Sequence, residues 1–257
     1  MINTAIGIAG NSGSGKSTLA RYLAESIIEN TLILECDRYH KWERGHAKWD
    51  HLTHLDPEAN NLDQMSADVA ELINNQEISR VSYDHTNGKF TKKQQLKPQN
   101  FLIVSGLHAL YYNNKDAYKL KIFMDTDEEL QVSWKMNRDK KKRGYTYGQV
   151  VEQIEKRKED YLRFILPQRD KADLSIKFTR NKDNKMSYSL FVEVDQKFNA
   201  SKMCDNFVSL GVCVSLVGPD KKTLYFENYK PMRNFDKYNN FYDYIIFLIG
   251  GIIDESY

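Results

Sequence analysis

The sequence predicts an α/β protein, a parallel β-sheet with helices on both faces, on three observations. Short apolar runs recur between polar or helical segments, at residues 5–9, 31–35, 101–104 and 121–125, and runs that are continuous rather than alternating suit strands covered on both sides. The first run passes through Gly10-Asn11-Ser12-Gly13-Ser14-Gly15 into a helix-forming stretch at 16–25, which gives strand, glycine loop and helix in order. A chain of 257 residues with 41% hydrophobic and 12% aromatic content can bury a full core, which excludes both disorder and a disulfide-dependent mini-scaffold.

Further along, residues 127–142 and 147–165 read as two long charged helices broken at Arg143-Gly144-Tyr145, and 172–178 as another strand. From about Thr179 the pattern changes to a strand at 188–194, a hairpin over 212–227 turning at Gly218-Pro219-Asp220, and a final apolar segment. The expected organisation is a core at 1–178 and a smaller β-rich extension at 179–257 packed on it. The last apolar run, 244–253, is half the roughly twenty residues that a membrane span requires, and reads as buried core. No basic, cleavable leader precedes the first strand, and Cys36, Cys204 and Cys213 are too scattered for a zinc ribbon or a disulfide framework, so a reducing cytoplasm is expected. Thirty-seven Lys and Arg against 35 Asp and Glu leave a net +2, so no global basic field exists to hold nucleic acid and any anion must be bound locally.

Gly10-Asn11-Ser12-Gly13-Ser14-Gly15-Lys16-Ser17 fits G-x-x-x-x-G-K-[ST], the phosphate-binding loop. The fold expected is therefore the parallel sheet of the P-loop NTPases. Backbone amides of such a loop curl around phosphate oxygens at the positive end of a helix. Lys16 reaches the β- and γ-phosphates and the Ser17 hydroxyl ligates Mg²⁺, so Gly10, Asn11, Ser12, Gly13, Ser14, Gly15, Lys16, Ser17 and Thr18 are the candidate nucleotide-binding residues. Asp37 follows the second strand, whose carboxyl end faces the ligand crevice in a doubly wound sheet. There it can accept a proton from an attacking hydroxyl or bind Mg²⁺ through water. An Asn-Lys-x-Asp base-reading motif, expected of a GTPase, is missing.

Asp37-Arg38-Tyr39-His40, the stretch from Leu55-Asp56-Pro57 to Asp63, Tyr83-Asp84-His85-Thr86-Asn87-Gly88, Ser105-Gly106-Leu107-His108 and Trp134-Lys135-Met136-Asn137-Arg138-Asp139 through Arg143-Gly144-Tyr145 resemble, in order and spacing, the phosphoribulokinases within the larger phosphoribulokinase/uridine kinase family. The resemblance covers about residues 4 to 178. It implies ATP and Mg²⁺ as cofactors, a small sugar phosphate as partner, and a homodimer. Position by position it implies Asp37 as catalytic base, with Lys16 and Asp139 also catalytic, and Ser17 and Asp37 at the metal. It also implies that His40, Arg44, His85, Arg138 and Arg143 bind the acceptor, while Tyr83 and Asp63 either line the acceptor pocket or serve as a core contact or helix-start residue. The planar forks of Arg138 and Arg143 suit phosphate oxygens, which turns the basic run at 140–143 from a solvated face into an expected lid.

Two positions depart from the family pattern. Ser105 stands where relatives end the strand in a glutamate that supports Mg²⁺, so either metal support is reduced or Asp37 or Asp139 takes over. Ser14 stands where photosynthetic relatives carry a redox-sensitive cysteine, so thiol switching is not expected. His40, His46, His51 and His54 crowd one stretch, but their spacing fits no compact zinc motif; His40 is assigned to substrate and the others to loop or surface. Trp42 and Trp49 either cover the sugar or anchor the loop. The function expected is ATP-dependent phosphoryl transfer to a sugar phosphate, with ribulose 5-phosphate leading. The alternatives are a uridine or cytidine kinase, or a nucleotide-binding protein whose catalysis Ser105 has weakened.

Overall fold

The computed structural model describes residues 4–27, 30–111, 117–143, 146–180, 188–227 and 242–254, apart from the side chains of 139–143. In chain order its first elements are β1 (Thr4–Gly10), α1 (Lys16–Ser26), β2 (Thr31–Glu35), α2 (Leu62–Ile73), β3 (Ile78–Arg80), β4 (Tyr83–Asp84), β5 (Lys89–Phe90) and β6 (Gln94–Leu96). Then follow β7 (Phe101–Ser105), β8 (Leu120–Thr126), α3 (Glu128–Arg143), α4 (Tyr147–Lys156), α5 (Lys158–Asp160), β9 (Leu174–Arg180), β10 (Tyr188–Val194), α6 (Ala200–Ser209), β11 (Val214–Val217), β12 (Thr223–Phe226) and α7 (Tyr242–Ile253).

Eight strands form one sheet in the order β11-β12-β10-β9-β8-β1-β7-β2, in which β2, β7, β1, β8 and β9 run parallel and β10, β12 and β11 antiparallel. All seven residues of β1 are buried because both of its faces are covered. Ile6 and Ile8 point into a core shared with α1, α6 and α7, while Ala5 and Ala9 point into a second core shared with α2, the period-two alternation of a strand between two layers. From β1 the chain passes outward to β2, whereas from β7 it crosses to β8 on the other side. The strand order changes direction beside β1, and the crevice at the carboxyl ends of such strands is where ligands bind.

Beyond residue 179, β10 pairs with β9 along seven residues and the β11–β12 hairpin closes around Gly218 between Val217 and Thr223, so these strands continue the same sheet. The last apolar run is α7, which is buried with Tyr244 stacked on Phe226 and Phe247 against Phe207. The helix expected over 147–165 is a correction: it divides into α4, the single turn α5 and a π-helical turn at Tyr161–Ile165. Tertiary hydrogen bonds explain the break, since the wider turn carries the Tyr161 hydroxyl to Asp125 (3.0 Å) and Asp160 receives one from Thr53 (2.6 Å). Among the described residues no helix is long and apolar enough to cross a membrane.

Candidate active site

The loop between β1 and α1 is shaped by its neighbours. A Cβ at Gly10 would overlap the Met124 carbonyl of β8, and Gly15, at φ 91°, starts α1 from the left-handed region with no side-chain cap. The Thr18 and Leu19 amides bond the Gly15 carbonyl, and the Lys16 and Ser17 amides ahead of them are left for an anion. The Asn11 carbonyl accepts from the Ser14 hydroxyl (2.9 Å) and from Lys16 Nζ (2.6 Å), so the lysine is folded back on its own loop. Burial pushes Lys16 down to about 8, opposed by the charge of Asp37 and reinforced by that of Arg138. Gln131 of α3 donates to the Ser12 carbonyl (3.0 Å), which ties the loop to the lid-side helix. Ser17 is exposed on the first turn of α1, and Thr18 is half-buried beside it.

Asp37 lies on a 3₁₀ turn, Cys36–Tyr39, directly after β2. The turn is clamped from behind: Tyr39 Oη donates to the fully buried Asp68 (2.8 Å), which also receives Arg80 Nη2 (2.6 Å) and Gln64 Nε2 (2.8 Å). His85 Nε2 sits 2.7 Å from Asp37 Oδ2, and His40 Nε2 lies 3.5 Å from Oδ1. Asn60 donates its amide to the His54 and Asp56 carbonyls, so its oxygen faces His40 Nδ1 at 2.8 Å and makes that nitrogen the donor. Burial alone would raise the Asp37 carboxyl, but the hydrogen bond from His85 and the nearby His40 and His54 outweigh it and hold Asp37 well below the usual carboxylate range. Tyr39→Phe, which releases the turn from Asp68, is expected to lower kcat about three- to tenfold, the worth of one buried hydrogen bond, with ATP affinity within about twofold. Steady-state kinetics beside calorimetric ATP binding checks this, and equal losses in both would mean that the clamp serves folding alone.

The histidine stretch corrects one expectation. His46 and His51 are exposed, but His54 packs between His40 (4.4 Å between centroids) and Trp49 (3.9 Å), brought inward because the loop turns back over the Asp37 turn. Burial lowers His40, drives His54 well below its ordinary value and brings His108 down to about 4. His54 Nδ1 and His108 Nδ1 are buried with no hydrogen-bond partner among the described residues. Trp42 and Trp49 anchor the loop: Trp49 Nε1 donates to the Glu43 carbonyl (2.9 Å) and Trp42 stacks on His46. Arg44 donates to the carbonyls of His85 (2.7 Å) and Thr86 (3.3 Å), so it braces the β4–β5 turn that carries His85. Tyr83 is buried with its ring edge-on to His40 and His85, while Asp63 lies in the first turn of α2, away from that cluster's ring contacts.

On the other side of the loop a cleft of about 150 Å³ is lined by Asn11, Ser12, Asp125, Lys135, Arg157 and Tyr161, among others. Three of these, Asp125, Lys135 and Arg157, carry charge and stand outside the candidate site residues that the motifs single out. Lys135 is almost fully buried, donates to Gln153 (2.8 Å) and packs against Gly13. Its position one turn from Gln131 and from Arg138, on one helix face, was the available signal. Arg157 directs its charge at His40 and His54, and Asp125 at Lys16. The side chains of Asp139 and Arg143 lie outside the described residues, as do residues 144–145.

Ser105 ends β7 beside Ile8 and Glu35, and its hydroxyl is buried with no hydrogen-bond partner among the described residues. Among the described residues no three His, Cys, Asp or Glu side chains gather as a metal cage. The exposed Ser17 hydroxyl and the ionised Asp37 fit Mg²⁺ that enters with nucleotide phosphates and keeps most of its other ligands as phosphate or water.

The sheet order, the glycine loop at the carboxyl end of β1 and the acidic turn at the end of β2 define an α/β P-loop protein. The chain belongs to the phosphoribulokinase / uridine kinase family, whose model matches residues 5–186. It is 35% identical over 196 residues to the phosphoribulokinase of Synechocystis sp., an alignment covering 75% of this chain and 59% of that protein. It is 30% identical over 186 residues to the uridine kinase of Leuconostoc citreum, covering 66% of this chain and 85% of that one. Among solved structures, the phosphoribulokinase from Rhodobacter spheroides shares the fold with a TM-score of 0.70 over 98% of both chains at 18% identity. The chain spans 59% of the length of the Synechocystis phosphoribulokinase it matches and 47% of that of the chloroplast enzyme of Spinacia oleracea.

Proposed function

We propose that this protein is an ATP-dependent kinase that phosphorylates a hydroxyl of a small sugar phosphate, with ribulose 5-phosphate as the leading acceptor. The observation that carries the reading is the pairing of a buried, loop-bound Lys16 with an Asp37 carboxylate that His85 and His40 hold ionised. Lys16 exchanges the Asn11 carbonyl for the β- and γ-phosphate oxygens, a better partner for an ammonium group. Asp37 orients the acceptor hydroxyl and takes its proton as the new ester forms. His85 and His40 offer the acceptor hydrogen bonds, Arg157 nearby offers positive charge, and Arg44 keeps His85 in place. Ser17 and Asp37 would hold Mg²⁺, which, when bound, neutralises phosphate charge. Gln131 holds α3 against the loop and Lys135 ties α3 to α4, which together exclude water that would otherwise hydrolyse the nucleotide. Asp139 and Arg143 are assigned to catalysis and acceptor binding by the family pattern.

An ADP-release screen over phosphorylated pentoses, free sugars and nucleosides tests this. A phosphorylated pentose is expected to exceed uridine and cytidine by on the order of a hundredfold in kcat/KM, since a site built for a charged group rejects analogues that lack it. A preference for uridine would give the reaction to the nucleoside kinase branch.

The second reading, nucleotide binding with weakened transfer, is favoured by the neutral, unpartnered Ser105 hydroxyl. Ser105→Glu separates the two in Mg²⁺ titrations of kcat. For a working kinase the variant is expected to gain nothing and to melt at a lower temperature, because it puts a charge in a buried position. A gain of about tenfold or more would instead identify transfer that had been limited by metal support.

A further inference from the structure

The C-terminal helix α7 lies outside the residues matched by the family model, yet it touches the phosphate-binding loop. Its first residue, Tyr242, is 7% exposed and points its hydroxyl at the Gly15 carbonyl, 3.4 Å away. The Thr18 hydroxyl acts on the same phenol, opposing the rise in its pKa that burial causes. A Cβ at Gly15 would overlap the phenol oxygen, so loop and helix are fitted to each other at that point. The ring is fixed from two further directions, by Tyr22 of α1 (5.3 Å, edge-on) and Phe178 of β9 (5.7 Å). The rest of α7 is locked into the core through Tyr244, Ile245, Leu248 and Ile249, so the phenol is presented by a rigid support.

We propose that Tyr242 is a positioning residue of the nucleotide site, through which α7 sets the geometry of the residues that open the phosphate-binding helix. The inference rests on the kinase reading for its ligand and adds a contact that the glycine-loop motif does not contain. Gly15 is the residue from which α1 starts, and Lys16, Ser17 and Thr18 form the first turn. A hydroxyl that bonds the Gly15 carbonyl and is packed directly against that residue holds the turn on the side facing α7, which orders the amides and Lys16 before a nucleotide arrives. The aromatic ring alone supplies packing; the hydroxyl supplies the position.

The test is Tyr242→Phe in the full chain, which keeps the ring and removes the hydroxyl. ATP and ADP dissociation constants from calorimetry are expected to rise about three- to tenfold, with the acceptor KM unchanged. Ile249→Val, a packing change on the same helix, is expected to lower Tm and leave nucleotide affinity as it was. Wild-type nucleotide affinity in Tyr242→Phe would overturn the proposal, as would a parallel rise of both KM values together with a fall in Tm like that of Ile249→Val. A wild-type chain that binds neither ATP nor ADP would overturn the kinase reading and this inference with it, whereas tight wild-type binding beside an unchanged Phe variant would overturn this inference alone.

Discussion

Asp37→Asn is expected to lower kcat about a thousandfold while ATP affinity stays within about threefold. The substitution keeps the shape of the side chain and its place on the 3₁₀ turn, which Tyr39 and Asp68 clamp independently. His85 still has an oxygen to meet at the same position. On the proposed mechanism, what is lost is the negative charge that takes the acceptor proton, a contribution made in the transition state and not in nucleotide binding. The same charge supports the Lys16 ammonium, so the variant should also show a lowered Lys16 pKa. Unchanged kcat with weakened ATP binding would move Asp37 to the nucleotide side of the site.

Lys16→Ala is expected to reduce kcat/KM for ATP by about a hundred- to a thousandfold, the range for removing one preorganised charge donor from a phosphoryl-transfer site. It carries a second signature in pH. Burial pushes Lys16 down to about 8, so in the free protein the ammonium is present below that pH and is lost as the pH rises through it. ATP affinity of the wild type should therefore be flat below pH 8 and weaken by up to about tenfold per unit above it, the slope of one proton. Lys16→Ala should be weak and flat throughout. A wild-type profile that is flat to pH 10 would mean that the lysine is charged in the free loop, contrary to its burial.

Much of this arrangement could be read from the chain because it depends on local pattern. The first strand, loop and helix were expected at 5–9, 10–15 and 16–25 and are Thr4–Gly10, the loop, and Lys16–Ser26. The hairpin turn at Gly218-Pro219-Asp220 joins β11 to β12 as expected. The parts that could not be read are those that fold-back contacts decide. His54 looks like a loop residue until the loop doubles over and buries it against His40 and Trp49. Arg157 falls on what the sequence presents as an uninterrupted charged helix, and acquires its aim at the histidines only where α4 stops. Tyr242 sits more than 220 residues from Gly15, a separation across which no periodicity or spacing rule carries information.

Phosphoryl transfer to an acceptor that already bears phosphate can be followed by phosphorus NMR of the wild-type protein with MgATP and ribulose 5-phosphate. The result expected is a second phosphate monoester on the sugar, formed in equal amount with ADP and missing when Asp37→Asn replaces the wild type. Release of inorganic phosphate with no new ester, or a new ester only when uridine or cytidine replaces the sugar phosphate, would contradict it.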